Sequence, residues 1–373
     1  MKEIGLYIHI PFCKSKCFYC DFNSYAGKED QTEAYMEALL AELDMYQESD
    51  SLIYKTVFFG GGTPTFIHYE HIGRVMEKLS NRLRRGCEVT IECNPGTVDE
   101  ESLKYYLKAG VNRLSIGLQA WQDDLLEGLG RAHRKEDFLR TLDIARRCGC
   151  KNISVDVMFG LPGQTPEMLE ETIENIISLD VEHVSCYSLK LEEGTRLFEQ
   201  YEKGMIKLCS DEDDRSMYHL VRKHLEVSGY VQYEISNFSK PGKECRHNII
   251  YWSNMEYLGI GAGSHSKLGS KRFWNISNIN EYIRAVSSHS FPVENYEIVS
   301  LKEEMWESIF LSLRLNEGLD IEAFNIKYET DFLKEHKRTI ERLQEKGLVY
   351  ISGNRLILTA KGMDLSNQVF IEF

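Results

Sequence analysis

The chain has 373 residues, 42% of them hydrophobic, and a formal charge of −14 from 44 basic and 58 acidic residues. That length suits one large domain plus a smaller one. The acidic balance argues against a protein that binds a nucleic-acid backbone, and no run of about 18 apolar residues is present to span a membrane. Ten cysteines, some of them clustered, suggest metal or redox chemistry in a reducing compartment rather than a disulfide scaffold. The first residues lack the apolar core and small-residue cleavage site of a signal peptide, so a cytoplasmic location is expected.

Taken in chain order, strand patterns at 4–10, 54–59, 88–92, 113–118, 153–158 and 183–187 alternate with helical patterns at 31–46, 69–79, 100–108, 135–147 and 167–178. Alternation of this kind implies parallel pairing through right-handed crossovers. Six such units predict an α/β fold, a partial (β/α)6 barrel, with a doubly wound sheet as the alternative. The candidate site residues fall at or just after strand C-termini, where barrel active sites are built, and this favours the barrel. Residues 229–299 read as an irregular connecting region rich in aromatic residues and glycine, including Gly259-Ile260-Gly261-Ala262-Gly263. From Leu301 the pattern is helical again and closes on a hairpin around Ser352-Gly353-Asn354, as in a winged helix. The expected division is 1–228 for the barrel, 229–299 for the connection and 300–373 for a small C-terminal domain.

The string Cys13-Lys14-Ser15-Lys16-Cys17-Phe18-Tyr19-Cys20 follows the first strand. Three thiolates spaced C-x3-C-x2-C can hold three corners of a [4Fe–4S] cubane, whereas ordinary sites use four cysteines. A trio leaves one iron open to an external ligand, as in proteins where S-adenosylmethionine (SAM) binds the cluster through its amino and carboxylate groups. Gly60-Gly61-Gly62-Thr63 after the second strand lets backbone approach a ligand closely. Glu92, Gln119 and Asp156 lie at or near later strand ends, and Arg131 stands in Leu129-Gly130-Arg131-Ala132-His133. A carboxylate can take the ribose hydroxyls or ammonium of SAM, and a guanidinium fork suits its carboxylate.

These strings, with Glu92-Cys93-Asn94-Pro95, the run Asp156-Val157-Met158-Phe159-Gly160-Leu161-Pro162 and His247-Asn248-Ile249-Ile250-Tyr251-Trp252, resemble the HemN/HemW group of radical SAM proteins over nearly the whole chain. The resemblance implies that Cys13, Cys17 and Cys20 bind the cluster. It places SAM contacts at Tyr7, Gly60, Gly61, Gly62, Thr63, Glu92, Gln119, Arg131 and Asp156, and a HemN-type domain at 300–373.

Two members of the group compete as readings. Oxygen-independent coproporphyrinogen III oxidases decarboxylate two propionates. They carry a fourth cysteine two residues past the third, where this chain has Phe22, and an N-terminal extension, where this chain already reaches its first cluster cysteine at residue 13. Both departures, and the H-N-x-x-Y-W string, favour a HemW-type haem chaperone. That reading implies haem as a third cofactor, with His247 as candidate ligand and Cys245 as the alternative. Its expected partners are haem-acceptor proteins and an electron donor. A membrane-associated acceptor and a homodimer are compatible with it, and coproporphyrinogen oxidase activity is not expected. A DNA-binding reading of the C-terminal domain fares poorly, because residues 301–373 hold 10 basic against 13 acidic residues, and a groove reader should be basic.

Overall fold

Residues 2–49 and 52–373 are described by a computed structural model. Its spine is a twelve-stranded sheet. Six strands lie side by side in the order in which the chain makes them: β1 (Lys2–Ile10), β2 (Leu52–Gly61), β3 (Leu83–Cys93), β4 (Arg113–Gln119), β5 (Ile153–Phe159) and β6 (His183–Ser188). All five neighbouring pairs are parallel. An order without reversal has no topological switch point, and right-handed crossovers then put every helix on one face. This is the partial (β/α)6 barrel and not a doubly wound sheet. Ile4, Leu6, Ile8 and Ile10 form a fully buried face of β1. Tyr7 and His9, on its other face, look into the barrel side.

Local chemistry sets the helix limits. Asp99 accepts a hydrogen bond from Ser102 N (2.8 Å) to start the helix Glu100–Ala109. Thr165 accepts from Met168 N (3.3 Å) ahead of Pro166, which opens the helix Pro166–Ser178. The helices Tyr69–Leu79 and Lys135–Arg147 have the limits that their periodicity predicts.

The stretch 229–299, expected to be irregular, is instead part of the sheet. β7 (Val231–Glu234) and β8 (Asn237–Ser239) extend it antiparallel beyond β6. β9 (Tyr257–Ile260) pairs parallel with β1 on the opposite side. β10 (His265–Leu268), β11 (Lys271–Asn275) and β12 (Val293–Ile298) continue outward antiparallel. Most of these strands are three to six residues long, too short to show a period of their own, and they exist because a preformed edge pairs with them. The His-Asn-x-x-Tyr-Trp string lies in a short helix, Arg246–Trp252.

Residues from Leu301 onward have their own apolar core, including Leu313, Phe324, Phe332, Leu343 and Leu356. The helix Leu301–Ser312 starts on a capping box between Ser300 and Glu303. The strands Val349–Ser352 and Arg355–Leu358 form the hairpin, and Leu319–Asp320 adds a third strand, which gives a winged-helix-like arrangement.

Glu42 ties the outer strands to the barrel. Its buried carboxylate accepts from Gly261 N (2.9 Å), Asn275 Nδ2 (2.6 Å) and Tyr282 Oη (2.6 Å). Burial nevertheless pushes its carboxyl up to about 7, because charge in a low-dielectric interior outweighs three donors. A folded-state pKa above the unfolded one gives stability that is complete below the unfolded value and is lost as pH rises through the folded value. Denaturant titrations at pH 5 and pH 8 are therefore expected to show the wild type losing up to about 3 kcal/mol through this group. Glu42→Gln should lack that part of the slope, and a variant with the wild-type slope would remove Glu42 as its source.

Candidate functional site

The loop after β1 carries the three cysteines. Phe12–Cys13 pairs parallel with Tyr25–Ala26, and this closes the intervening chain into a loop. Phe18 N donates to Leu129 O (2.9 Å), and Leu197 N donates to Phe18 O (2.7 Å), so the loop is pinned at its middle. Cys13, Cys17 and Cys20 line one cavity of about 370 Å³ together with Gly61, Gly62, Thr63, Glu92, Gln119, Arg131 and Asp156. The ends of β2 to β5 thus deliver their residues to the same space as the thiols.

Each sulfur has a polar neighbour. Thr63 Oγ1 donates to Cys13 Sγ (3.5 Å), Arg131 Nη1 donates to Cys17 Sγ (3.5 Å), and Ser24 Oγ lies 3.7 Å from Cys20 Sγ. Asn94 joins the first two. Its Nδ2 donates to Thr63 Oγ1 and its Oδ1 accepts from Arg131 Nη2, both at 2.7 Å. Arg131 also donates to Gly117 O (2.7 Å). At Gly117 a Cβ would stand 3.2 Å from both Arg131 Nη2 and Asn94 Oδ1, so glycine there makes room for the fork. The guanidinium is therefore largely committed to the protein, and only its Nε is buried without a partner. Donors of this kind tune a metal–thiolate site.

Gly61 has φ +113°, and a Cβ there would stand 2.5 Å from the His9 ring; at Gly62 it would stand 2.8 Å from Phe12 O and 3.0 Å from Cys13 Sγ. Glycine is what allows β2 to end against the cysteine loop. The backbone N–H groups here are occupied: Gly61 N donates to Glu92 Oε2 (3.1 Å), Gly62 N to Ile10 O and Thr63 N to Phe12 O (both 2.8 Å). What the segment can offer an ammonium ligand is carbonyl oxygen.

Glu92 and Asp156 are two half-buried carboxyls on this wall. Burial and then the Asp156 charge push Glu92 up to about 8, and burial raises Asp156 although Ser115 Oγ donates to it (3.2 Å). A ligand carrying hydroxyl or ammonium donors would compensate this cost. Gln119 has φ +73°, a strained value for a non-glycine residue at a strand end that faces a cavity.

The donor set fits a three-thiolate cubane beside SAM. It offers three thiols on one wall, hydrogen-bond donors aimed at two of them, a glycine-walled approach and paired carboxyls. Of the nine residues expected to hold SAM, seven line this cavity. Tyr7 does not; it lines a neighbouring cavity and its hydroxyl bonds His9 Nδ1 (3.0 Å). Nor does Gly60, which packs against Glu92, Phe58 and Tyr7. Asn94, Ser115 and Tyr19 complete the site. Asn94 was visible in Glu-Cys-Asn-Pro, but nothing in the string marks it as a bridge.

His247 requires a correction. It is fully buried, its Nδ1 lies 2.7 Å from Thr56 Oγ1, and its Nε2 lies 2.8 Å from Tyr251 Oη. Burial lowers its pKa to about 3. Neither ring nitrogen is free for a haem iron. Cys245 is equally buried, beside Glu88, with its thiol pushed up to about 12. The Glu88 carboxylate holds the start of this helix through Arg246 N (3.2 Å) and His247 N (3.1 Å). The string is a packing element, and only Tyr251 and Trp252 at its end reach the neighbouring cavity.

Among the described residues, no helix is long and apolar enough to cross a membrane. Residues 7–176 match the radical SAM superfamily, and residues 299–365 match the HemN C-terminal domain. The chain is 39% identical over 371 residues to the heme chaperone HemW of Bacillus subtilis, covering 98% of each chain. It is 35% identical to the heme chaperone HemW of Lactococcus lactis, covering all of this chain and 97% of that one. The solved structure of coproporphyrinogen III oxidase (HemN) from Escherichia coli superposes with a TM-score of 0.85 over 99% of this chain and 89% of that one, at 22% identity. That last likeness is one of fold.

Proposed function

The chain belongs to the HemW family of radical SAM proteins, and on that premise we propose that it binds haem and passes it to acceptor proteins. Cys13, Cys17 and Cys20 hold a [4Fe–4S] cluster with one iron open to SAM. Gly61, Gly62, Thr63, Glu92, Gln119, Arg131 and Asp156 form the SAM cavity. Bound by Cys13, Cys17 and Cys20, such a cluster would supply low-potential electron-transfer chemistry beside SAM. The chain's own residues do the rest. Thr63 and Arg131 hold the thiolates, the carboxyls of Glu92 and Asp156 receive hydroxyl or ammonium donors, and the loop pinned through Phe18 keeps the three sulfurs on one wall. Haem, a haem-acceptor protein and an electron donor are the partners on this reading.

The observation that carries the chaperone over the oxidase is Phe22. It stands where oxidases of the group carry a fourth cysteine, and it is shared by the cluster cavity and the larger cavity beside it. In the larger cavity Lys267 and Arg272 are already met by Glu307 (3.6 and 2.6 Å), and Arg272 also by Glu297 (2.6 Å), so neither is free for the four carboxylates of coproporphyrinogen, and a ligand there would be held chiefly through its apolar faces.

Reconstituted protein should retain haem and release it to a haem-free acceptor. Given coproporphyrinogen III, SAM and reductant, it should yield no protoporphyrinogen. Multiple turnovers of decarboxylation, seen by mass spectrometry, would overturn the chaperone reading in favour of the oxidase. Adding a cysteine at Phe22 should not create the activity.

A further inference from the structure

Beside the cluster cavity lies a second one of about 740 Å³, which shares Phe22, Gly61 and Glu92 with it. Its size is that of a cofactor pocket. Beyond Tyr7 and His9 of β1 and Phe22 of the cysteine loop, its wall is built by Tyr251 and Trp252 at the end of their helix, His265 and Lys267 on β10, and Trp306 and Phe310 on the helix Leu301–Ser312. Its rim is apolar and open, with Phe22 65%, Trp306 42% and Met255 39% exposed. Single exposed apolar residues are ordinary, but three around one opening, with further aromatic rings behind them, mark a place that an apolar ligand covers.

Two histidines line this space. His9 is spent, because its Nε2 donates to Asn23 O (2.8 Å) and its Nδ1 takes the Tyr7 hydroxyl. His265 differs: its side chain is exposed and has no hydrogen bond or ion pair among the described residues. Alternation along β10 puts His265 and Lys267 on the cavity face, while Ser266 between them is buried and accepts from Gly259 N (2.9 Å). Trp274, its partner across the strand pair, stacks on the imidazole at 5.6 Å and 23° and fixes the ring plane. Partial desolvation of the ring and then the nearby Arg272 lower its pKa, which favours the neutral imidazole that binds metal.

We propose that His265 is the axial ligand by which the chain holds haem iron, with the porphyrin lying against the aromatic wall of Tyr251, Trp252, Trp306 and Phe310. This rests on the haem-binding reading above and deepens it by naming the coordinating atom's residue and the cavity. It also gives the His-Asn-x-x-Tyr-Trp string a part through its last two residues instead of its histidine.

The test is titration of ferric haem into cluster-reconstituted wild type and His265→Ala, followed by optical and electron paramagnetic resonance spectra. Wild type should show a histidine-ligated haem. The variant should keep its iron, its SAM binding and its melting temperature, while its Soret band moves and its haem affinity falls by roughly tenfold or more. Free imidazole, added to the variant, should restore the wild-type spectrum. Haem binding by wild type with an unchanged spectrum and affinity in the variant would overturn His265 and leave the haem reading standing. So would an affinity loss that imidazole does not repair, since that marks a wall residue. No haem binding by wild type would instead overturn the haem reading itself.

Discussion

Cys17→Ala, reconstituted anaerobically, is expected to lose the whole of the roughly four irons per chain that one cubane holds, and with them the spectral response to SAM. Cys13→Ala and Cys20→Ala should behave alike. Three thiolates are the minimum set here, and each sits in its own hydrogen-bonded seat, under Thr63, beside Arg131 and near Ser24. Removing one leaves two irons without protein ligands, and a two-point attachment does not retain a cubane. Burial raises the Cys13 and Cys20 thiols when no metal is present, so assembly must release protons and should slow as pH falls. One other cysteine reaches the cavity wall. The thiol of Cys93, however, donates to Asn94 O (3.4 Å) and lies 3.8 Å from Thr97 Oγ1. Full iron and an unchanged spectrum in Cys17→Ala would break the ligand assignment and make Cys93 the first replacement to examine.

The second large effect is expected from His247→Ala, and it is an effect on stability. The ring stacks on Phe58 at 5.2 Å and 26°, and on its other side meets Tyr251 edge-on at 4.9 Å. Its loss leaves the Thr56 and Tyr251 hydroxyls without their partner in a buried place and opens a void between β2 and the helix Arg246–Trp252. A stranded hydroxyl costs about 1–3 kcal/mol and a void adds to it, so a loss of about 3 kcal/mol and a melting temperature lower by about 4 °C are expected. The folded fraction should bind haem with the wild-type Soret band. A variant of unchanged stability with an altered Soret band would return His247 to the haem site.

Much of the fold was legible because its information is local. A parallel strand covered on both faces must be apolar along its length, and an amphipathic helix must repeat at 3.6 residues, so the six strands of the barrel and the five helices between them could be read from the chain. The cysteine trio was legible for the same reason: three thiols that share one cavity wall sit on one short loop and leave a spacing in the sequence. The glycines before Thr63 were legible as a close approach, although not what they approach, which is the His9 ring and the Cys13 sulfur.

The amino-acid sequence by itself determined the barrel, the three thiols and most of the residues that gather around them, because strand C-termini converge on one end of any such barrel. Only the tertiary structure decided what His247 does. Its partner Thr56 is 191 residues away, and a histidine string carries no mark of whether its ring nitrogens will be met by hydroxyls or left for a metal. The same holds for Asn94, whose role depends on Thr63 and Arg131 arriving on either side of it. It holds too for His265, one residue of a four-residue strand that only the fold brings to the same cavity as Tyr251, Trp252 and Trp306. Periodicity records which face of an element is buried. It does not record which distant side chain will lie opposite, and at this site that pairing separates a packing residue from a ligand.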